Sequence, residues 1–277
     1  MSLPDYDSPS ALKAILDSRS MAMQKKFGQN FLINSNARTK LAESLDLEPG
    51  MKVWEVGPGL GALTTEILKR KANLTAFEID RGFATVLKEL FEGNDKFSIV
   101  EGDVLKTWKN YYKENGLPER FFGNLPYNVA AAIVADMISE GVRFPRAVVT
   151  VQKEVAMRMN AKPGTEDYSS FSVLCQWAYD VSNITDLSGG CFWPKPNVES
   201  RSVLMVKKEN FPCCEDPKTF MKVLRAIFMQ RRKTIKNNLN AITNSTEETE
   251  EILFEVPEEE TVEEEVEPEA DIFEDEI

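Results

Sequence analysis

"KVWEVGPGLGALTTEILKR", residues 52–70, decides how the chain is read. With the turn "EPGM" before it, "KVWEV" is a short apolar strand that stops at glycine, and "ALTTEILKR" reads as the helix that follows. Gly57, Gly59 and Gly61 fall between the two. Glycines there let the backbone turn sharply and lie close to a ligand, while the helix start presents free N–H groups. The same loop serves dinucleotides, and a tight turn of this kind also forms with no ligand at all.

Outward from this unit, strand-like and helix-like segments alternate: "LTAFEI", helix "FATVLKELFE", "FSIVEG", "RFFGN", helix "VAAAIVADMIS", "RAVVTVQ". That alternation predicts βαβ units and a mostly parallel sheet covered on both faces by helices, an α/β fold. After residue 180 the β-rich runs "VSNITDLSG" and "SRSVLMVKK" flank "CFWPKPNVES", which suits an antiparallel pair finishing the sheet, with the prolines in the connection. From Lys218 to Leu239 the chain reads as helical, with Phe220, Val223, Leu224, Ile227 and Phe228 on one stripe. Upstream, "SPSALKAILDSRS" is a short helix capped by Ser8 or Ser10, followed by a loop containing "QKKFGQNFL" and by the helix "ARTKLAESLD". The expected layout is an N-terminal helix and loop over 1–36, a sheet domain over 37–209, a small helical domain over 210–246 and a tail over 247–277.

Of the 277 residues, 42% are apolar, enough for a real core. No apolar run approaches the ~18 residues of a membrane helix, and "MSLPDYDSPS" lacks a basic-then-apolar signal, so a cytoplasmic protein is expected. Cys175, Cys191, Cys213 and Cys214 have no metal-ligand spacing, and no metal site is expected. There is no histidine, which excludes Ser-His and Cys-His nucleophiles and histidine metal sites. The net charge of −12 is unevenly spread: 17 Asp and Glu and no base follow Thr246, leaving 33 bases against 28 acids before it, a net of about +5. The body is basic, and the tail is self-repelling and expected to be disordered.

Glu78 in "AFEID" is placed at the tip of the second sheet strand, from which a carboxylate accepts hydrogen bonds from both ribose hydroxyls, and Asp103 in "VEGDVL" at the tip of the third, within reach of an adenine amino group. Taken singly, each acid reads as a solvated loop residue or a helix cap; at successive strand tips after a glycine turn, they read as a nucleoside pocket. The spacing G-x-G-x-G differs from the dinucleotide fingerprint, whose third glycine comes one position later. A fourth strand ends in "FGNLPYN", residues 122–128. The amide oxygen of Asn124 and the Leu125 carbonyl, stiffened by Pro126, offer two acceptors side by side, which suits a planar NH2 group. An aromatic amine is a poor nucleophile because its lone pair is delocalised. Acceptors placed for a pyramidal nitrogen favour the geometry in which the lone pair is localised and aimed at an electrophile. Tyr127 supplies a stacking platform for a base taken out of its helix. The nitrogen can attack first and lose its proton to solvent afterward, so no histidine base is required.

"QKKFGQNFL", "EVGPGLGALT", "FEID", "EGDVL", "FGNLPYN", "FWPKPNVES" and "QRRKTIKNNL", in that order, resemble the ribosomal RNA adenine dimethyltransferases, most nearly the bacterial branch acting on small-subunit (16S) rRNA. The resemblance covers roughly residues 20 to 240. It implies a class I, Rossmann-like methyltransferase fold using S-adenosyl-L-methionine, with a small C-terminal helical domain, and dimethylation of two adjacent adenosines near the 3′ end of 16S rRNA during small-subunit biogenesis. It implies that Gln29, Asn30 and Leu32 help close over the cofactor, that Gly57, Gly59 and Gly61 pass beside it, that Glu78 holds the ribose and that Asp103 meets the adenine. Asn124, Leu125 and Pro126 then hold the target amine near the methyl donor, Tyr127 packs on the base, and Phe192 forms a second aromatic wall, although Phe192 could also merely fill the sheet edge. Lys25, Lys26, Arg231, Arg232, Lys233 and Lys236 are expected to meet RNA phosphates, the last four on a helix face. After Leu239 the sequence departs from the family pattern, so the helical domain is expected to be abbreviated. A monomer is expected. The rivals are the relative that dimethylates 23S rRNA and confers macrolide resistance, a non-catalytic assembly factor, and a nicotinamide oxidoreductase, which the glycine spacing disfavours.

Overall fold

The structure, a computed structural model, describes residues 2–21, 23, 29–209 and 216–243. Lys25, Lys26, Cys213, Cys214 and the acidic tail from Glu247 onward lie outside the described residues. The chain divides into two compact units between Lys222 and Val223.

In the first unit α1 (Pro9–Ser18) is N-capped by Ser8, whose hydroxyl accepts from the Ala11 N–H, and α2 (Ser35–Ser44) is capped by Asn34 in the same way at Ala37. Between them β1 is only Phe31–Leu32. The sheet begins with β2 (Lys52–Val56), and α3 (Ala62–Lys69), β3 (Asn73–Glu78), α4 (Arg81–Leu90), β4 (Phe97–Glu101), α5 (Val104–Asn115), β5 (Arg120–Asn124), α6 (Ala130–Ser139) and β6 (Arg146–Gln152) follow. Next come α7 (Lys153–Met159), α8 (Ser170–Ala178), β7 (Tyr179–Leu187), β8 (Phe192–Trp193) and β9 (Ser200–Lys207).

The seven-stranded sheet has the order β4-β3-β2-β5-β6-β9-β7. Its first five strands are parallel, and β9 and β7 are the expected antiparallel finish. The pairing of β7 with β9 shifts register between Asn183 and Thr185. Alternation along the strands sorts the core into two faces. Val53, Leu74, Phe122 and Val148 pack with Leu41 and Leu45 of the α2 region and Leu63 and Ile67 of α3. On the other face Trp54 packs edge-on against Phe77, Tyr111 of α5 and Phe144, and Phe121 stacks on Phe144 at 4.7 Å. A further cluster joins Leu12, Ile15 and Leu16 of α1 to Phe31, Leu60, Phe83 and Phe91. A two-residue ladder pairs β1 with β8 antiparallel, setting Phe31 opposite Trp193 and Leu32 opposite Phe192.

The second unit holds the C-terminal part of α9 (Pro217–Ile227), from Val223 onward, and all of α10 (Ile235–Leu239). The helical run expected over 218–239 is thus broken. Asn238 explains the break: its Nδ2 donates to the carbonyls of Ile227 (3.0 Å) and Gln230 (3.2 Å), satisfying groups that would otherwise have continued the helix. Thr234 then starts α10 by accepting from the Asn237 N–H at 3.3 Å.

Phe122 sits on the central strand β5 with 1% exposure. Phe122→Ala should destabilise the fold by about 3–5 kcal/mol through lost transfer energy and a residual cavity, as read by urea denaturation.

Candidate active site

The carboxyl ends of β2, β3, β4 and β5 converge on one cleft that is open to solvent on one side. Its floor is the glycine turn. The Gly57 N–H donates to the Phe77 carbonyl (3.1 Å), prolonging the strand ladder, and the Gly61 N–H returns to the Pro58 carbonyl (2.9 Å). Gly59 has φ +59° and lies so close to Phe31 that a Cβ would come within 2.8 Å of its ring, so a side chain there must displace the aromatic wall.

Glu78 ends β3 with 5% exposure. Its Oε1 accepts from the Asp80 N–H at 2.8 Å and its Oε2 from the Gly59 N–H at 3.3 Å. Desolvation nevertheless outweighs these hydrogen bonds and pushes its carboxyl up to about 7. Behind it Glu55, 1% exposed, accepts the Thr64 hydroxyl at 2.6 Å, and burial pushes it up to about 8. Asp103 lines the cleft and at the same time caps α5, its Oδ1 accepting from the Leu105 N–H at 3.1 Å.

Asn124 ends β5. Its Nδ2 donates to the Asn30 carbonyl at 2.8 Å, while its Oδ1 is buried with no partner. An orphaned buried acceptor is rare and marks a ligand group or a strain reservoir. The turn after it is fixed on both sides: Leu125 N–H donates to Thr150 (3.0 Å) on β6, and the Pro126 carbonyl accepts from Val129 and Ala130 as α6 begins. Tyr127 shares a hydrogen bond of 2.5 Å with Ser200 at the start of β9, and burial raises its phenol. Across the cleft Gln29 Nε2 donates to Asp80 Oδ2 at 3.2 Å.

Gln29, Asn30, Gly57, Gly59, Glu78, Asp103, Asn124, Leu125, Pro126 and Tyr127 therefore line one cleft, as do Phe31, Phe77, Phe83 and Ile79, which the motif reading passed over. The sequence signal for Ile79 is its place, an apolar residue directly after the strand-tip acid; in the structure it is 42% exposed. Three expected site residues do not line it. Phe192 and Leu32 oppose each other across the β1–β8 ladder and are buried in the core at 3% and 2% exposure, so Phe192 is no second wall of this cleft. Gly61 starts α3 with φ +86°, and a Cβ there would press on Phe91 and Leu87. In the second unit Arg231, Arg232 and Lys233 are exposed in the turn between α9 and α10, not on a helix face; Lys236 alone of the four is helical.

A family model described as ribosomal RNA adenine dimethylase matches residues 21–274. The chain belongs to this family. The match runs past Leu239, where the quoted motifs end, into the acidic segment. The dimethylase is 49% identical over 243 residues to the ribosomal RNA small subunit methyltransferase A of Treponema denticola, covering 87% of this chain and 83% of that one. It is 44% identical to the protein of the same name from Treponema pallidum, covering 86% and 83%. Among solved structures it resembles a dimethyladenosine transferase from Plasmodium falciparum, with TM-score 0.62 and 27% identity over 76% of this chain and 75% of that one. It also resembles the 23S rRNA methyltransferase ErmE, with TM-score 0.59 and 25% identity over 76% and 83%. The fold is that of the class I S-adenosylmethionine-dependent methyltransferases, and the dimethylase is an enzyme. The cleft fits that cofactor on its own terms: a side-chain-free cradle at Gly57 and Gly59, a buried carboxylate at a strand tip and an unused acceptor at Asn124.

Glu78 and Glu55 keep their protons above the ordinary value of 4.5, to about 7 and about 8. Folded protein then binds more protons than unfolded chain in that window. Their contribution is fully present below pH 4.5 and is lost as pH rises through 7 and 8. Thermal and urea unfolding of ligand-free protein should show Glu78→Gln removing about 3 kcal/mol of this pH-dependent loss between pH 5 and 8. Parallel curves for both proteins would contradict the assignment.

Proposed function

We propose that the chain transfers methyl groups from S-adenosyl-L-methionine to the exocyclic amines of two adjacent adenosines near the 3′ end of small-subunit (16S) rRNA, during small-subunit biogenesis. The observation that carries this reading is the Asn124 amide: its Nδ2 is held by the Asn30 carbonyl, which leaves Oδ1 as an unpaired acceptor in the cleft.

When bound, the cofactor supplies an electrophilic methyl group. The rest falls to the chain. Glu78 would accept from the ribose hydroxyls, Asp103 from the adenine amine, and Gly57 and Gly59 with Gln29 and Asn30 would enclose the methionine part. Asn124 Oδ1 and the Leu125 carbonyl would take the two hydrogens of the target amine and hold its nitrogen pyramidal, with Pro126 fixing their spacing. Tyr127, steadied by Ser200, would pack on the extruded base. The amine proton leaves to solvent after transfer, in keeping with a chain that has no histidine.

Arg231, Arg232, Lys233 and Lys236, with Lys25 and Lys26, are proposed to meet rRNA phosphates without reading sequence. The functional layout proposed is closing loop to residue 36, transfer domain 37–209, RNA-contacting helices 210–246 and acidic tail 247–277, in a cytoplasmic monomer without metal. No described helix is long and apolar enough to cross a membrane. The likeness to ErmE supports a second reading, dimethylation of 23S rRNA. The names of the relatives at 49% and 44% identity favour the small subunit.

Labelled methyl transfer to undermethylated 30S particles, with 50S particles in parallel and nucleosides identified by mass, separates the readings. Dimethyladenosine in the small-subunit RNA alone is expected. Transfer to 50S alone would select the second reading, and no transfer with cofactor binding intact would select a non-catalytic assembly factor. Asn124→Ala should abolish transfer while S-adenosylmethionine affinity falls by much less; retained turnover would remove Asn124 from the mechanism.

A further inference from the structure

The glycine turn is gripped from the side away from the cleft by a residue that no motif includes. Tyr6, 7% exposed, donates its phenol hydrogen to the carbonyl of Leu60 at 3.0 Å, and Leu60 lies between Gly59 and Gly61. The Thr65 hydroxyl, which caps the Gly61 carbonyl at 2.8 Å, also reaches the Tyr6 oxygen at 3.4 Å. Burial pushes the Tyr6 phenol up to about 12, so it remains a donor across the working pH range. The ring is itself held: the Arg38 guanidinium lies over it at 5.8 Å, and Arg38, 6% exposed, also donates to Asp7 Oδ1 (2.6 Å) and to the Leu32 carbonyl (3.0 Å). Below, Leu12, Ile15 and Leu16 of α1 pack in the same cluster as Tyr6 and Leu60. Tyr6 and α1 both precede residue 21, where the family match begins.

We infer that Tyr6 is a positioning residue for the cofactor site: it fixes the Leu60 carbonyl, and through it the backbone of Gly59 and Gly61, in the geometry that receives S-adenosylmethionine. The physical reason lies in the conformations the turn must hold. Gly57, Gly59 and Gly61 all have positive φ, at +72°, +59° and +86°, and glycines have the most freedom to leave such wells. On the cleft side the Gly59 N–H donates at 3.3 Å to Glu78, its one acceptor among the described residues and the carboxylate that a ribose would engage. A second, buried anchor that no ligand competes for lets the turn keep its shape while Glu78 changes partners. The N-terminal segment thus serves the site by preorganisation, lowering the ordering cost of binding without touching the ligand.

This inference rests on the cofactor reading, and its test has one arm that does not. In the full chain, Tyr6→Phe keeps the ring and removes the hydroxyl. Amide hydrogen exchange of the ligand-free protein should quicken by about tenfold or more over residues 59–65, with α2 and β6 unchanged. Binding of S-adenosylhomocysteine by calorimetry should weaken by about fivefold to tenfold, with the maximal methyl-transfer rate at saturating cofactor retained. Unchanged exchange at the turn would overturn the inference, as would faster exchange with unaltered affinity, or uniform acceleration across the whole chain. If the wild-type protein does not bind S-adenosylhomocysteine, the cofactor reading fails; the exchange arm still decides whether Tyr6 holds the turn.

Discussion

The constraint on which the rest depends is the reversal of strand order at β2. The chain leaves β2 outward to β3 and β4, then must return to lay β5 on the opposite side of β2. Connections that depart in opposite directions cannot fill the space above the strand ends, so a crevice remains there, the general position of ligands in open α/β sheets. Each strand that reaches this crevice contributes what stands at or just past its end: the glycine turn after β2, the Glu78 carboxylate of β3, Asp103 beyond β4 and the Asn124 amide of β5. The site is therefore less a set of loops than the common edge of four strands, which is why its residues are scattered over the sequence yet meet without long excursions.

In and directly behind that crevice, stability is given up for chemistry. Glu78 and Glu55 are buried carboxyls with too few hydrogen bonds to offset desolvation, and Asn124 Oδ1 has none. Each would be better satisfied by a different residue if folding alone mattered. The surrounding packing over-determines their positions: the Asn30 carbonyl on Asn124, Thr150 on Leu125 and Ser200 on Tyr127 act from three separate elements. Such cross-bracing holds groups in place that would otherwise seek water.

Much of this was legible in the sequence. Strands rich in Val and Phe, stopping at Gly57, Glu78 and Asn124, announced both the sheet and the rim of the cleft. What escaped depends on contacts between residues far apart in the chain. Helices α5, α7 and α8 were not read; in α5 only Val104 and Trp108 are buried, so no apolar stripe marks it. Phe192 looked like a pocket wall because its prolines suggested a stiff loop, but pairing with Leu32 turns it into the core. The basic run at 231–233 read as a continuation of its helical neighbours; it is a turn closed by the Lys233 N–H on the Gln230 carbonyl and secured by Asn238 reaching back to Ile227 and Gln230. Tyr6 carried no signal, since a lone tyrosine near the start of a chain says nothing until its partner is known.

The shifted register between Asn183 and Thr185 bears on a different hazard. β7 is the last strand of the sheet among the described residues, so one row of its backbone groups faces outward, the surface onto which a second chain could add a strand. The register shift makes the strand irregular there, and Asp180 and Asp186 place acids along it, each in an ion pair with a base of the same chain, Lys208 and Arg201. An incoming strand would meet an irregular ladder and carboxylates already engaged. The same irregularity that looks like a defect in the sheet thus disfavours edge-to-edge addition of a second chain.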